Sequence, residues 1–257
     1  MAGVVAARGR AGAEGFAGPV ICHIAAWSMP RRSRVATYRA RMPRGRDHLV
    51  WDWNGTLLDD LHLVVSATNA VLAAVGGPVI TVEEHRTQYR RPIMDYYAEV
   101  LGRMLDAEEF ARLDKLFHEA YRLGLAECTL TADAAVALRS WHGSQSLLSM
   151  WFHDELVPTV DRYGLTPHFR RIDGLRAGVG GGRKASHLAR HLAAVGVEGR
   201  STVLIGDSID DAEAAAYVGA RCVLYTGGIT DPARLRASGW PVADSLTEAV
   251  ALAAELD

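Results

Sequence analysis

The chain has 257 residues, near-average apolar content and a formal net charge of −2, enough for one large domain or a core with a smaller insert and without a bias toward nucleic acid. It holds no run of eighteen apolar residues, so no transmembrane helix and no membrane partner are predicted. Cys22, Cys128 and Cys222 are an odd, widely spaced set without a C-x-x-C pair, which argues against a disulfide framework or a zinc site and fits a reducing cytoplasm.

Residues 1–46 carry nine arginines and a single acid, Glu14, and leave the remainder acidic. The apolar stretch from Pro19 to Met29 is too short to span a bilayer, and no small-x-small cleavage site follows it. This head reads as a disordered tail, or as an upstream start with Met42 the true first residue, and is set aside from the fold.

From residue 48 short apolar runs alternate with helical stretches. The strand-like runs are His48–Trp53, Ser146–Ser149, Thr202–Gly206 and Arg221–Tyr225, with a weaker one at Phe169–Ile172. Continuous apolar runs of this length suit strands buried on both faces of a parallel sheet. Helices are predicted between them over His153–Tyr163, Lys184–Val195, Asp210–Val218 and Ser245–Leu256. The order implies an α/β fold, a doubly wound parallel sheet. About ninety residues between the first strand and Ser146 lack a good strand and read as helices over His62–Val75, Val82–Arg90, Pro92–Leu101, Ala107–Leu125 and Thr131–Trp141. Pro92 suits a first helical turn and Asp106 an N-cap. The division that follows is a core of 47–60 and 131–257, with a helical cap at 61–130 over the carboxyl ends of the strands, where ligands bind in such sheets.

Two of the buried strands run out into acids. Asp52-Trp53-Asn54-Gly55-Thr56 follows the first, and Gly206-Asp207-Ser208-Ile209-Asp210-Asp211 ends another. A carboxylate at Asp52 could attack phosphorus, and the hydroxyl and N–H of Thr56 could bind a phosphoryl oxygen; an Asn-Gly turn reads equally as a hairpin signal. Asp207 and Asp211 sit one helical turn apart and offer hard oxygen ligands of the kind Mg²⁺ takes, whereas capping by Ser208 or Asp210 is the structural alternative. Lys184 follows a glycine run from Gly178 to Gly182 in a chain with 26 arginines and only two lysines. Its ammonium could neutralise a phosphoryl group. Ser149, at the end of its run, could bind a phosphate oxygen or cap a helix.

With these segments in this order and the helical insert between the first and second, residues 48–257 resemble the haloacid dehalogenase superfamily. Arg91-Pro92-Ile93-Met94-Asp95-Tyr96-Tyr97 and Gly206-Asp207-Ser208-Ile209-Asp210-Asp211-Ala212-Glu213 look like its phosphoglycolate-phosphatase-like branch. The resemblance implies a Mg²⁺-dependent hydrolase of small phosphorylated metabolites. In it Asp52 is the nucleophile and Ser149 and Lys184 orient and neutralise phosphate. Asp207 binds metal with Asp52 and the backbone carbonyl of Asn54, and Asp211 supports the metal site. Arg90 or Arg91 could reach an anionic leaving group.

Asn54 departs from the family, which usually places there the aspartate that serves as general acid and base. An amide can do neither. Slow turnover follows, unless His153 replaces the acid. The competing readings are phosphate transfer from a persistent phosphoenzyme and a non-catalytic, phosphate-binding regulatory protein.

Overall fold

A computed structural model describes residues 48–176 and 179–256. The arginine-rich head, Cys22 and Gly178 lie outside the described residues. Six strands form one sheet: β1 (His48–Trp51), β4 (Ser144–Phe152), β5 (Ile172–Leu175), β6 (Thr202–Gly206), β7 (Arg221–Tyr225) and β8 (Val242–Ala243). Their order is β5-β4-β1-β6-β7-β8 and every pairing is parallel. Because β1 continues to β4 on one side and pairs with β6 on the other, the strand order reverses at β1, the place where parallel sheets open a crevice for ligands. Side chains alternate between faces along each strand. Leu49, Trp51, Val203 and Ile205 therefore join one buried cluster, and Val50, Leu204, Cys222 and Leu224 another.

Helices α5 (Ala134–Ser140), α6 (His153–Arg162), α7 (Ala185–Val195), α8 (Ile209–Tyr217), α9 (Pro232–Ala237) and α10 (Leu246–Glu255) accompany the sheet. Between β1 and α5 run α1 (Leu61–Ala74), α2 (Val82–Gln88), α3 (Ile93–Leu101) and α4 (Ala107–Gly124), bracketed by the two-residue antiparallel strands β2 (Leu58–Asp59) and β3 (Thr129–Leu130). These four helices have a core of their own, including Leu72, Ile80, Tyr96, Tyr97, Phe110 and Leu113. The Asp106 side chain accepts from the Glu109 N–H at 2.7 Å and caps α4 as predicted.

Several boundaries differ from the sequence pattern. Pro92 stands at the N-cap of α3 in extended backbone, not in the first turn, and α2 stops at Gln88. The residue before a proline is disfavoured in helical geometry, which forces extended chain between the two helices. The weak run at Phe169–Ile172 forms a strand only from Ile172 to Leu175, since Thr166–His168 is a single 3₁₀ turn. The predicted helix from Thr131 begins at Ala134, after β3. The sequence pattern missed β2, β3, β8 and α9, each six residues or shorter and too short for a period to repeat. Cys128 and Cys222 are free thiols, and among the described residues no helix is long and apolar enough to cross a membrane.

Candidate active site

Parallel register places Trp51 beside Ile205, so the residues after β1 and β6 emerge together. The Asp52 N–H donates to the Ile205 carbonyl at 2.9 Å, which fixes the first acid at the sheet edge. The chain then turns, with the N–H groups of Thr56 and Leu58 both donating to the Trp53 carbonyl. Gly55 has φ +69°, and a Cβ there would lie 2.3 Å from Asp207 Oδ2. Glycine is required both for the left-handed turn and for the close approach of the second acid. Gly206 plays a matching part, since a Cβ on it would lie 2.4 Å from the Asp211 carboxyl carbon.

Ser208 caps α8. Its hydroxyl accepts from the Asp211 N–H at 3.3 Å and donates to Asp211 Oδ2 at 2.6 Å, while its own N–H donates to the same oxygen at 3.1 Å. The capping alternative and the site are thus the same residues: the capping box aims Asp211 Oδ1 at Lys184. The Lys184 ammonium bonds Asp211 and donates to Asp52 Oδ1 at 2.8 Å, and its backbone N–H donates to Asp210 Oδ2 at 2.9 Å. Asp52, Asp207 and Asp211 each bring a carboxylate oxygen within 4.8 Å of the others.

Burial raises the Asp52 pKa to about 6, with Lys184 pulling it down and Asp211 pushing it up. Asp207 is pushed well above the usual carboxylate range, first by burial and then by the charges of Asp52 and Asp211. Burial works against the Lys184 charge, but Asp211 and Asp52 outweigh it and raise its pKa. One ammonium does not balance three buried carboxylates. A cation with a preference for oxygen ligands fits the deficit, since an all-carboxylate donor set suits a hard divalent ion rather than a soft metal.

Ser149 does not end its strand. It lies where the pairing of β4 with β5 shifts register between Leu148 and Phe152, an irregularity that re-aims side chains. Its hydroxyl donates to Asn54 Oδ1 at 3.1 Å. The Asn54 amide is otherwise fully committed: its NH₂ donates to Asp60 Oδ2 at 2.8 Å and to the Tyr121 hydroxyl at 2.9 Å. Tyr121 in turn donates to Asp60 Oδ2 at 2.6 Å, and the Gly55 N–H to Asp60 Oδ1 at 2.7 Å. Burial raises the Asp60 pKa despite these bonds.

A cavity of about 120 Å³ runs from this edge to the four-helix layer. Asp52, Asn54, Arg91, Ser149, Lys184 and Asp207 line it. Thr56 is fully buried and not among the lining residues; its hydroxyl donates to Asp207 Oδ1 at 3.4 Å, so it steadies Asp207 rather than facing a ligand. Of the two arginines before α3, Arg91 faces the cavity and donates to the Gly182 carbonyl at 2.9 Å, whereas Arg90 pairs with Glu99 on the surface. His153 does not stand in for the missing acid. It bonds the Gly174 N–H and Arg176 beside β5, outside the cavity lining.

Sequence reasoning missed Asp60 and the wall contributed by α4: Asp114, Phe117, His118 and Tyr121. A signal existed for both. Asp60 directly precedes a helical period, and the α4 residues recur at i, i+3, i+4 and i+7, one face of a helix.

Residues 182–249 match the profile of the HAD-hydrolase-like family. The chain is 26% identical over 190 residues to the phosphoglycolate phosphatase of Caulobacter vibrioides, covering 71% of this chain and 80% of that one. It is 24% identical over 201 residues to the phosphoglycolate phosphatase of Chromobacterium violaceum, covering 74% and 89%. The fold is similar to that of a predicted phosphatase from Clostridium acetobutylicum, with a TM-score of 0.73 at 15% identity over 82% of this chain and 100% of that one.

Proposed function

From the premise that this chain belongs to the haloacid dehalogenase superfamily, as a phosphatase of the phosphoglycolate-phosphatase-like kind, we propose that it hydrolyses small phosphomonoesters with Mg²⁺ through an aspartyl phosphate on Asp52. The observation that carries this reading is a buried ammonium held between Asp52 and Asp211, with Asp207 alongside, at the reversal point of a parallel sheet. We read α1–α4, residues 61–130, as a cap over a core of 47–60 and 131–257.

Asp52, Asp207 and the backbone carbonyl of Asn54 would hold the metal, with Asp211 supporting it. Bound there, Mg²⁺ supplies positive charge to the phosphoryl oxygens. Asp52 attacks phosphorus, the Asp52–phosphorus bond forms, and the bond to the leaving oxygen breaks. Water then attacks the aspartyl phosphate and frees Asp52 and inorganic phosphate. Lys184 offsets charge on the transferred group and keeps Asp52 ionised, the form that can attack. Ser149 and Arg91 face the same space and would orient the ester.

The proton for the leaving oxygen is the weak point. Both amide hydrogens of Asn54 go to Asp60 and Tyr121, so this side chain neither protonates the leaving group nor turns toward it. General acid–base help is worth roughly 10²–10⁴ in rate. Turnover is therefore slow with alkyl leaving groups and faster with aryl phosphates, which leave without a proton. The names of the two relatives make 2-phosphoglycolate the first ester to test. The test is phosphate release from 2-phosphoglycolate and from an aryl phosphate, with Mg²⁺ and with EDTA. Release that needs Mg²⁺ is expected; no release from either ester in Mg²⁺ overturns the reading.

A further inference from the structure

We propose that Asp114, on α4, is a positioning residue for Lys184: through the backbone of residues 180–182 it fixes where the ammonium stands against Asp52 and Asp211. The inference rests on the phosphatase reading and goes beyond it, because it makes the seating of α3 and α4 a condition for the charge at the sheet edge.

Residues 180–183 precede α7 and belong to neither helix nor strand. A segment without a ladder of its own must find partners for its peptide groups elsewhere. Here three of them go to α4 and to the chain entering α3. The Gly180 N–H donates to Asp114 Oδ2 at 2.9 Å, the Gly181 carbonyl accepts from the Ile93 N–H at 2.9 Å, and the Gly182 carbonyl accepts from Arg91 at 2.9 Å. The contact needs glycine at its centre. Gly181 has φ +82°, and a Cβ there would lie 2.9 Å from Phe110 Cζ and 3.1 Å from Ile93 Cβ. At Gly182, by contrast, a Cβ would meet nothing within 4 Å.

Just beyond, the chain is tied to the sheet edge. The Lys184 N–H donates to Asp210 Oδ2 at 2.9 Å, and the ammonium bonds Asp211 and, at 2.8 Å, Asp52. Only Arg183 separates the two anchorages, and its side chain pairs with Glu213 on the surface. No slack remains in which a shift of the docked glycines could be absorbed before it reaches Lys184. Asp114 is buried and held from two sides, since its Oδ1 faces His118 Nε2 at 3.6 Å. It lines the same cavity as Asp52 and Lys184. A carboxylate repels an anionic ester, so its use in that wall is to hold the backbone rather than the substrate.

The experiment measures kcat and KM for phenyl phosphate with Mg²⁺. Asp114→Leu and Gly181→Ala should each lower kcat by about 10- to 100-fold, the scale of a small misplacement at the reacting centre, with KM changed less. Asp114→Asn keeps an oxygen that accepts the Gly180 N–H, and it should stay within about threefold of wild type, as should Gly182→Ala. The two damaging changes together should cost no more than about threefold beyond the worse of them, because both cut one connection. Full kcat in Asp114→Leu, or an asparagine variant as slow as the leucine one, overturns the assignment. Amide hydrogen exchange gives a readout free of turnover. In Asp114→Leu the Lys184 amide should exchange about 10-fold faster or more, although its own acceptor is untouched, while the amides of β1 and β6 keep their wild-type rates. An unchanged Lys184 amide, or faster exchange throughout the sheet, also overturns it. If the wild type releases no phosphate from any ester but the Lys184 amide alone speeds up, the phosphatase reading falls and the link from Asp114 to Lys184 stands. If turnover is normal in both proteins and exchange is equal, the assignment alone falls.

Discussion

Two polar networks are buried in this sheet, and they are built on opposite principles. At the carboxyl ends of β1 and β6 three carboxylates share one ammonium. Near the amino end of β1, a chain of mutually paired groups crosses from strand to helix. His48 Nδ1 meets Ser144 Oγ at 2.8 Å, and its Nε2 meets Ser146 Oγ at 2.7 Å. Ser146 Oγ also meets His191 Nε2 at 2.7 Å, and His191 Nδ1 meets Asp173 Oδ2 at 2.8 Å. The second set contains a serine, a histidine and an aspartate in contact, the composition of a nucleophilic triad. Yet Ser146 is fully buried and divides its hydroxyl between two imidazoles, so it has neither access nor a free base. Pairing each buried group makes structure; leaving charge unpaired in a cavity makes a site that a cation and an anion can complete.

The contrast predicts a separation of activity from stability. Asp52→Asn should cut phosphate release by about 10⁴-fold or more while the fold survives, as loss of a covalent nucleophile does. Ser146→Ala should leave kcat within about threefold. It strands two ring nitrogens, however, and should lower stability by about 2–4 kcal/mol in denaturant titrations. Activity lost in the serine variant, at full stability, would merge the two networks and break the comparison.

Next in size is the acid–base deficit. Asn54→Asp alone sets a carboxyl against Asp60, at a contact that is now a 2.8 Å hydrogen bond. Pairing it with Asp60→Asn exchanges amide and acid and keeps one donor in the contact. The double variant should gain about 10²-fold or more in kcat on alkyl esters and exceed the single variant. Equal rates in both would show that Asp60 does not restrain position 54.

Acid should pull the two networks in opposite directions. Burial first, then His191 and Arg170, lower the His48 pKa from 6.5 to about 4. Between those values the unfolded chain takes up a proton that the folded chain refuses. Stability therefore falls as pH drops through this window, by about 3 kcal/mol once below it. Asp52, raised from 3.8 to about 6, takes up its proton first in the folded state, so it adds stability as pH falls from 6 toward 3.8. In EDTA the wild type should therefore lose less stability between pH 7 and 4.5 than Asp52→Asn does. A steeper acid loss in the wild type would reverse the sign assigned to Asp52.

Much of the architecture is readable in the residues because buried parallel strands are written as unbroken apolar runs: Thr202–Gly206 and Arg221–Tyr225 stand where their patterns put them. The acids at 52, 207 and 211 were legible because a carboxylate after such a run has few structural uses. The Asn54–Asp60–Tyr121 network was not. It joins a turn, a helix cap and a residue 61 positions beyond that cap, and no period in the sequence links them. Thr56 misled for a related reason: a hydroxyl beside Gly55 reads as a ligand group, and only the packing shows it spent on Asp207. The histidine relay was equally silent, because each member occupies an ordinary position in its own strand or helix.

The smallest effect tests the charge surplus itself. Asp207 is buried beside two other carboxylates, and its pKa is driven up by burial and by Asp52 and Asp211. Its oxygens already accept from the Ile229 N–H at 2.5 Å and from Thr56. Asp207→Asn removes one negative charge, keeps an acceptor, and leaves Lys184 with both of its partners. Without a divalent cation the variant should therefore be more stable than the wild type at pH 7, by about 1–2 kcal/mol, since a buried charge without a partner costs more than an amide in its place. Adding Mg²⁺ should reverse the order, raising the wild-type melting temperature and leaving the variant nearly unmoved. A wild type that is the more stable protein in EDTA would mean that the three carboxylates are already balanced, and the distinction between the paired and the unpaired network would be lost.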